Sequence, residues 1–265
     1  MRIRHLFAAW EDVRRRVAVA QRAVLFFDFD GTLAPIRSRP TAARLPNKTR
    51  RLLRKVVAEG TPVAIVSGRA LEDVFERAAL RGIWYSGTHG YALRTPKSKR
   101  ILLATRAERS QIRRLRKELA AKLGGLQGIE MEQKCVAVPV HYRGAHAKER
   151  RSAFAAVKDV LSKTAGMRLL EGKKVWEILP KGQIDKWTAV QFILRRQRKM
   201  SAKPLVFYFG DDMTDEAVFR KMKGISVAVG KQQNTAARFY VRSPAEVAQF
   251  LEKWLQQSKK GSKAD

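Results

Sequence analysis

The chain has 265 residues, enough for a sizeable hydrophobic core and suited to one large domain or a domain carrying an insert. Apolar content is ordinary at 45%, but 55 basic against 24 acidic residues leave a formal charge of +31. Such a surface attracts polyanions and phosphorylated small molecules without specifying a fold, and a solvated basic surface accounts for it, so no specific nucleic-acid partner is expected. The single cysteine, Cys135, excludes an internal disulfide and reads as a small buried apolar residue in a reducing, cytoplasmic setting. No apolar run approaches the ~20 residues needed to cross a bilayer, and charge interrupts the N-terminal segment where a signal peptide would be apolar.

In chain order, Leu6, Trp10, Val13 and Val17 mark an amphipathic N-terminal helix. The run Val24-Leu25-Phe26-Phe27 predicts a strand buried on both faces, ending in Asp28-Phe29-Asp30-Gly31-Thr32-Leu33. A helix over Asn47 to Glu59 leads to a second such strand, Val63 to Val66, which ends in Ser67-Gly68-Arg69. A helix over Leu71 to Ala79 precedes Ile83 to Ser86, which ends in Gly87-Thr88-His89-Gly90. This alternation predicts a parallel sheet with right-handed crossovers.

From about Arg106 the texture changes. A basic helix with an Ile112, Leu115, Leu119, Leu123 stripe is followed by a strand-like region from Ile129 to Tyr142. A second helix runs from Lys148 to Thr164, and a hairpin pairs Met167 to Leu170 with Val175 to Leu179. The first texture returns with a helix from Lys186 to Arg195 and the run Leu205 to Phe209, ending in Gly210-Asp211-Asp212-Met213-Thr214-Asp215-Glu216. Strands at Ile225 to Val229 and Phe239 to Val241 follow, then a lysine-rich tail from Ser258 that reads as disordered. The expected organisation is a core of residues 1–105 and 179–257, an α/β insert of residues 106–178, and a tail of residues 258–265.

Ligands bind at the carboxyl ends of strands in open parallel sheets, so the loops carrying Asp28, Ser67, Thr88 and Asp211 should meet on one edge. Clustered carboxylates repel unless a cation lies among them, and an all-oxygen set suits Mg²⁺. Asp28 and Asp211 are the expected direct ligands, with Asp30 contributing its backbone carbonyl. Asp28 beside a metal can also serve as nucleophile in phosphoryl transfer, with Ser67, the amides of Phe29 and Gly68, and Lys186 as phosphate donors. Taken singly, the first acids are also compatible with a strand-end turn, and Ser67-Gly68-Arg69 with a helix cap. No nucleoside-triphosphate P-loop pattern is present.

The ordered set of Asp28 to Leu33, Ser67-Gly68-Arg69, a later lysine and Gly210-Asp211-Asp212-x-Thr214-Asp215-Glu216 resembles the motifs of the haloacid dehalogenase superfamily. More narrowly, the chain resembles trehalose-6-phosphate phosphatases. That likeness rests also on Gly87 to Gly90, on Glu132-Gln133-Lys134 with His141-Tyr142-Arg143, and on Lys174 to Pro180. The resemblance implies a Rossmann-like parallel-sheet core with an inserted small α/β cap, and Mg²⁺-dependent hydrolysis of trehalose 6-phosphate through an aspartyl phosphate. It implies Asp28 as nucleophile and Asp30 as general acid and then base. Asp211 would hold the metal with Asp28 and Asp30, supported by Asp212 and Asp215, while Ser67, Gly68 and Lys186 would hold the phosphate. Glu132, Lys134, His141, Arg143 and Glu177 match positions facing the sugar, and Arg69 and His89 are further substrate-binding candidates.

Departures from the usual family pattern are Trp187 for glycine after Lys186, Leu179 for arginine and Thr88 for asparagine. They touch positioning and substrate contacts rather than metal chemistry. The resemblance admits a trehalose-phosphate synthase as a partner. Related phosphatases, of the sucrose-phosphate or mannosyl-phosphoglycerate type, share the architecture, and a basic polyanion-binding or regulatory module is the reading from another class.

Overall fold

The computed structural model describes residues 3–20, 22–37, 42–172, 174–182, 184–197, 203–230 and 234–261. The chain divides into two compact units, Met1–Ile101 with Ile184–Asp265, and Leu102–Gln183. The first unit begins with β1 (Arg4–His5), α1 (Trp10–Val19), β2 (Ala23–Phe27), α2 (Asn47–Ala58), β3 (Val63–Val66) and α3 (Leu71–Ala78). Next come β4 (Trp84–Gly87), a 3-10 turn at Thr88–Gly90, β5 (Ala92–Arg94) and β6 (Arg100–Leu102). The second unit holds α4 (Arg106–Leu123), β7 (Glu130–Met131), β8 (Val138–His141), α5 (Ala147–Ser162), β9 (Met167–Gly172) and β10 (Val175–Pro180). The chain then returns to the first with α6 (Lys186–Gln197), β11 (Leu205–Gly210), α7 (Glu216–Lys221), β12 (Ile225–Val229), β13 (Phe239–Val241) and α8 (Pro244–Gly261).

Among the described residues, the first unit's sheet is 9-stranded in the order β1-β13-β12-β11-β2-β3-β4-β5-β6. Every pair from β1 across to β4 is parallel, and β5 returns antiparallel on β4. The continuous apolar runs explain this arrangement, because every residue of β3 and β12 is buried, which requires cover on both faces. Helix α2 buries Thr49, Leu53 and Val56 at helical spacing. On α8, Phe250 and Trp254 close around Phe207 at ring-centroid distances of 5.5 and 5.4 Å.

The second unit is a 4-stranded antiparallel sheet, β7-β8-β10-β9, with α4 and α5 packed against it. Val138 and Val140 of β8 and Trp176 and Ile178 of β10 join the helix stripes Ile112, Leu115, Leu119, Leu123 and Ala153, Val157, Val160 in one core. Strand alternation turns the intervening residues, Pro139, His141 and Glu177, away from those helices. Helix α4 starts at a capping box in which the Thr105 and Glu108 side chains each bond the other's backbone N–H, at 3.1 and 2.7 Å.

Some expectations need correction. The stretch expected to be strand-like from Ile129 to Tyr142 is two strands separated by a turn closed at the Lys134↔Ala137 bridge. Cys135, expected to be buried, is exposed in that turn, which directs its neighbours Lys134 and Val136 inward instead. Helix α8 continues to Gly261, so the tail expected to be disordered from Ser258 starts as helix, and residues 262–265 lie outside the described residues. The hairpin expected around Glu171 to Lys174 is β9 and β10, with Lys173 at its tip outside the described residues.

Leu119 is fully buried in the second core. Replacing it with alanine should cost about 3 kcal/mol, seen as an earlier urea transition by circular dichroism.

Candidate active site

Register brings the acids together. β2 and β11 run parallel with Phe27 opposite Phe209, and the Asp28 N–H donates to the Phe209 carbonyl at 2.8 Å. Asp28 therefore leaves its strand beside Gly210 and Asp211, with the Phe27 and Phe209 rings stacked beneath at 5.1 Å. The approach is close enough to demand glycine on both sides. Gly31 has φ +77°, and a Cβ there would overlap the Asp211 carboxylate. A Cβ at Gly210 would overlap the Asp215 carboxyl group.

Lys186 enters this cluster from the first position of α6. Asp185 starts that helix by accepting from the Thr188 N–H at 2.8 Å and its hydroxyl at 3.0 Å. The Lys186 ammonium, on a side chain only 1% exposed, lies 2.9 Å from Asp28 Oδ1, 2.8 Å from Asp215 Oδ1 and 3.5 Å from Asp212 Oδ1. Burial opposes its charge, yet Asp215 and Asp28 hold its pKa well above the usual lysine value. Trp187, half-buried in the next position, leaves that placement intact.

The acids differ in their surroundings. Asp215 is fully buried: Oδ1 accepts from Lys186 and from the Tyr208 hydroxyl at 2.6 Å, and Oδ2 from the N–H groups of Asp211 and Asp212 at 3.0 and 3.1 Å. Asp212 Oδ1 accepts from the Thr214 N–H and hydroxyl at 2.8 and 2.6 Å. Asp211 Oδ1 accepts from the Thr32 hydroxyl at 3.1 Å. Among the described residues, Lys186 alone donates to the Asp28 carboxylate, and it does so at Oδ1.

One oxygen from each of Asp28, Asp211 and Asp215 can be chosen so that all lie within 4.8 Å of one another. This hard, all-oxygen donor set fits Mg²⁺. Asp215 already accepts from four donors, two at each oxygen. Burial and then the Asp215 and Asp212 charges raise Asp211 to about 7. Burial raises Asp215 to about 6 against the pull of Lys186, and burial together with the neighbouring acids raises Asp28 well above the usual range. Shielding opposes ionisation of Asp212, but Lys186 and Thr214 hold it below the ordinary carboxylate value.

At the end of β3, the buried Ser67 hydroxyl accepts from the Arg69 N–H at 3.1 Å. Its carbonyl accepts from the His89 N–H at 3.1 Å. His89, at φ +53°, lays its ring over Gly68, where a Cβ would come within 2.6 Å of Cε1. His89 therefore orders the Ser67-Gly68 loop. Arg69 does not stand open to a ligand: its guanidinium grips both oxygens of Asp30, at 2.5 and 2.6 Å. This grip directs the Asp30 carboxylate to Arg69 and outside the group of Asp28, Asp211 and Asp215.

In the second unit, Lys134 and Glu177 form a buried pair at 2.8 Å. His141 meets Glu132 at 3.2 Å, and Arg143 is exposed in the turn after β8. Burial opposes the Glu132 charge, but His141 and Lys134 hold its pKa below the usual value. Arg116 on α4 fastens the intervening turn by donating to the carbonyls of Lys134 and Ala137. Sequence reasoning missed Arg116, Tyr208, Thr32 and Asp185. The Asp185-x-x-Thr188 spacing was a readable helix-start signal, whereas Tyr208 was hidden in an apolar run.

A sequence profile of the Trehalose-phosphatase family matches residues 26–249. The chain belongs to this family. It is 37% identical over 237 residues to a trehalose-phosphate phosphatase of Mycobacterium marinum, covering 86% of this chain but only 60% of that relative's length. Among solved structures, the C-terminal domain of Candida albicans trehalose-6-phosphate phosphatase superposes with a TM-score of 0.76 at 22% identity, covering 93% of this chain and 96% of that one. A haloacid dehalogenase-like hydrolase from Bacteroides thetaiotaomicron gives 0.66 at 14% identity, covering 88% and 99%. At these identities the structural likeness establishes the fold alone, a parallel-sheet core of the haloacid dehalogenase type. Among the described residues no helix is long and apolar enough to cross a membrane.

The raised Asp211 and Asp215 values fix the sign of a pH effect. Between about 4, the ordinary carboxylate value, and about 7 for Asp211, these two groups hold more protons in the folded protein than in the unfolded chain, so their contribution to metal-free stability falls as pH rises. In chelator, the melting temperature should drop across this window. Mg²⁺ should restore it, and Asp211→Asn should flatten the slope; a flat profile for the unaltered protein would contradict the raised values.

Proposed function

We propose that this protein is a Mg²⁺-dependent phosphatase that hydrolyses trehalose 6-phosphate to trehalose and inorganic phosphate. The observation that carries the reading is the meeting of Asp28 with Lys186, Asp211 and Asp215 at the carboxyl end of the parallel sheet. Membership in the trehalose-phosphatase family supports the choice of substrate.

Asp28 and Asp211, with the Asp30 backbone carbonyl, would hold Mg²⁺, while Asp212 and Asp215 support them. When bound, the cation offsets repulsion between these carboxylates and an anionic phosphate. The Lys186 ammonium, the Ser67 hydroxyl and the Gly68 amide hold phosphate oxygens. Lys186 occupies Oδ1 of Asp28, so Oδ2 is the attacking atom. As the bond from Oδ2 to phosphorus forms, the bond to the sugar oxygen breaks and Asp30, entering the step as the carboxylic acid with one oxygen still on Arg69, delivers its proton to that oxygen. Asp30 then takes a proton from water, whose oxygen attacks phosphorus, releasing phosphate and regenerating the Asp28 carboxylate.

Glu132, Lys134, His141, Arg143 and Glu177 supply donors and acceptors for sugar hydroxyls. His89 orders the phosphate loop, and Arg69 holds Asp30. A trehalose-phosphate synthase is the enzyme class whose product this reaction would consume.

Phosphate release from trehalose 6-phosphate, sucrose 6-phosphate, glucose 6-phosphate and an aryl phosphate, with Mg²⁺ or chelator, tests the reading. Strong Mg²⁺-dependent preference for trehalose 6-phosphate is expected; preference for another sugar phosphate would move the substrate, and no turnover would refute the enzyme. Asp28→Asn should lower turnover on the order of 10³-fold or more while leaving the melting temperature high. Glu177→Gln should lower kcat/KM about 10-fold on the sugar phosphate and less than about 2-fold on the aryl phosphate, because only the former has hydroxyls to bind.

A further inference from the structure

The proposed proton transfers rest on Asp30, and a row of side chains that starts at Arg69 and runs beyond the motifs holds that residue. Arg69 donates Nε to Asp30 Oδ2 at 2.5 Å and Nη2 to Asp30 Oδ1 at 2.6 Å. A fork of this kind fixes the plane of a carboxylate as well as its position. The third guanidinium nitrogen, Nη1, donates to Asp73 Oδ2 at 2.8 Å. Asp73 Oδ1 accepts in turn from Arg77 Nε at 2.6 Å, and Arg77 Nη1 donates to the Ala43 carbonyl at 3.1 Å.

Arg69 stands just before α3, and Asp73 and Arg77 lie in its first and last turns, so that the ion pairs run Arg69–Asp73–Arg77 at intervals of four residues. The Arg69 backbone is held at both ends: its N–H donates to Ser67 Oγ at 3.1 Å, and its carbonyl accepts from the Thr88 N–H at 2.7 Å. What the backbone leaves undetermined is the direction of a long, flexible side chain. Asp73 supplies that direction together with the Phe29 ring, whose centroid lies 5.7 Å from the guanidinium carbon. Asp73 also alternates charge along the row, standing between two guanidinium groups that are only 13% and 10% exposed.

We propose that Asp73 is a positioning residue for the reaction: through Arg69, it sets the orientation in which Asp30 meets the leaving sugar oxygen. Loss of Asp73 removes one anchor of the guanidinium and lets the fork swing, carrying Asp30 with it. Proton transfer is sensitive to such displacement, because a misplacement of about 1 Å can cost on the order of 10²-fold. The inference rests on the reading of Asp30 as general acid, and the test separates the two.

The experiment compares kcat/KM for trehalose 6-phosphate and p-nitrophenyl phosphate, since kcat/KM reports steps through the first phosphoryl transfer. A sugar alkoxide needs a proton as it leaves, whereas nitrophenolate does not. Asp73→Ala should lower the value about 10-fold or more on the sugar phosphate and less than about 2-fold on the aryl phosphate. Asp73→Asn keeps an acceptor oxygen and should recover part of the loss; it also carries the test if the alanine variant melts early. Equal losses on the two substrates, or none on either, would overturn the inference. Asp30→Asn is the reference: if it discriminates between the substrates and the folded Asp73 variants do not, only the role of Asp73 falls. If Asp30→Asn itself fails to discriminate, the general-acid reading falls, and the inference with it.

Discussion

A buried ammonium organises this molecule's chemistry. Lys186 is among the largest fully buried side chains, and removing one such charge from water costs several kcal/mol unless partners are close and well placed. Asp28 and Asp215 are those partners, at 2.9 and 2.8 Å. The dependence is mutual, since the carboxylates could not be buried so near one another without the cation. One positive charge does not neutralise the whole cluster, however. Burial, and after it the remaining negative charge of Asp215 and Asp212, raises Asp211 to about 7, and a divalent cation would relieve the charge part of that cost.

The sheet and the loops divide the work of building that cluster. Parallel pairing of β2 with β11 brings Asp28 and Asp211 to adjacent strand ends, a placement that depends on register and not on loop chemistry. The loop after β11 is then shaped by Asp215, which receives the N–H groups of Asp211 and Asp212 and turns them around its own carboxylate. Glycine at 210 and 31 makes room for the approach. The motif is thus a folding instruction as well: its last aspartate organises the loop around its own carboxylate.

Charge acts on two scales. The chain as a whole carries +31, a field that draws phosphorylated anions toward it. The site is locally acidic, so in the proposed reaction an arriving phosphate would need a cation, Lys186 and the Ser67 loop to offset repulsion. In the second unit the polar groups are paired instead: Lys134 with Glu177 and Glu132 with His141. Such pairs hold donors and acceptors in fixed places on a strand surface, the property that recognition of a polyhydroxyl ligand demands.

The amino-acid sequence by itself determined the buried central strands of the sheet, though not the edge strands β1, β5 and β6, because unbroken apolar runs such as Val63 to Val66 have no stable place except a sheet covered on both faces. It also determined which residues end those strands, and so the candidates Asp28, Ser67 and Asp211, with Lys186 at the start of a helix, since their spacing within motifs is local. Tertiary structure alone decided what each partner does. Arg69 follows Ser67-Gly68 as a phosphate-loop residue would, yet its guanidinium belongs to Asp30 and Asp73. Tyr208 reads as one more core aromatic, yet its hydroxyl fixes Asp215. Cys135 reads as buried, yet a turn exposes it and buries Lys134 against Glu177, which lies 43 residues away. The physical reason is common to all three: hydropathy and spacing report what a residue does to its own strand or helix, whereas a hydrogen-bond partner is chosen by whichever distant segment the packing brings within 3 Å.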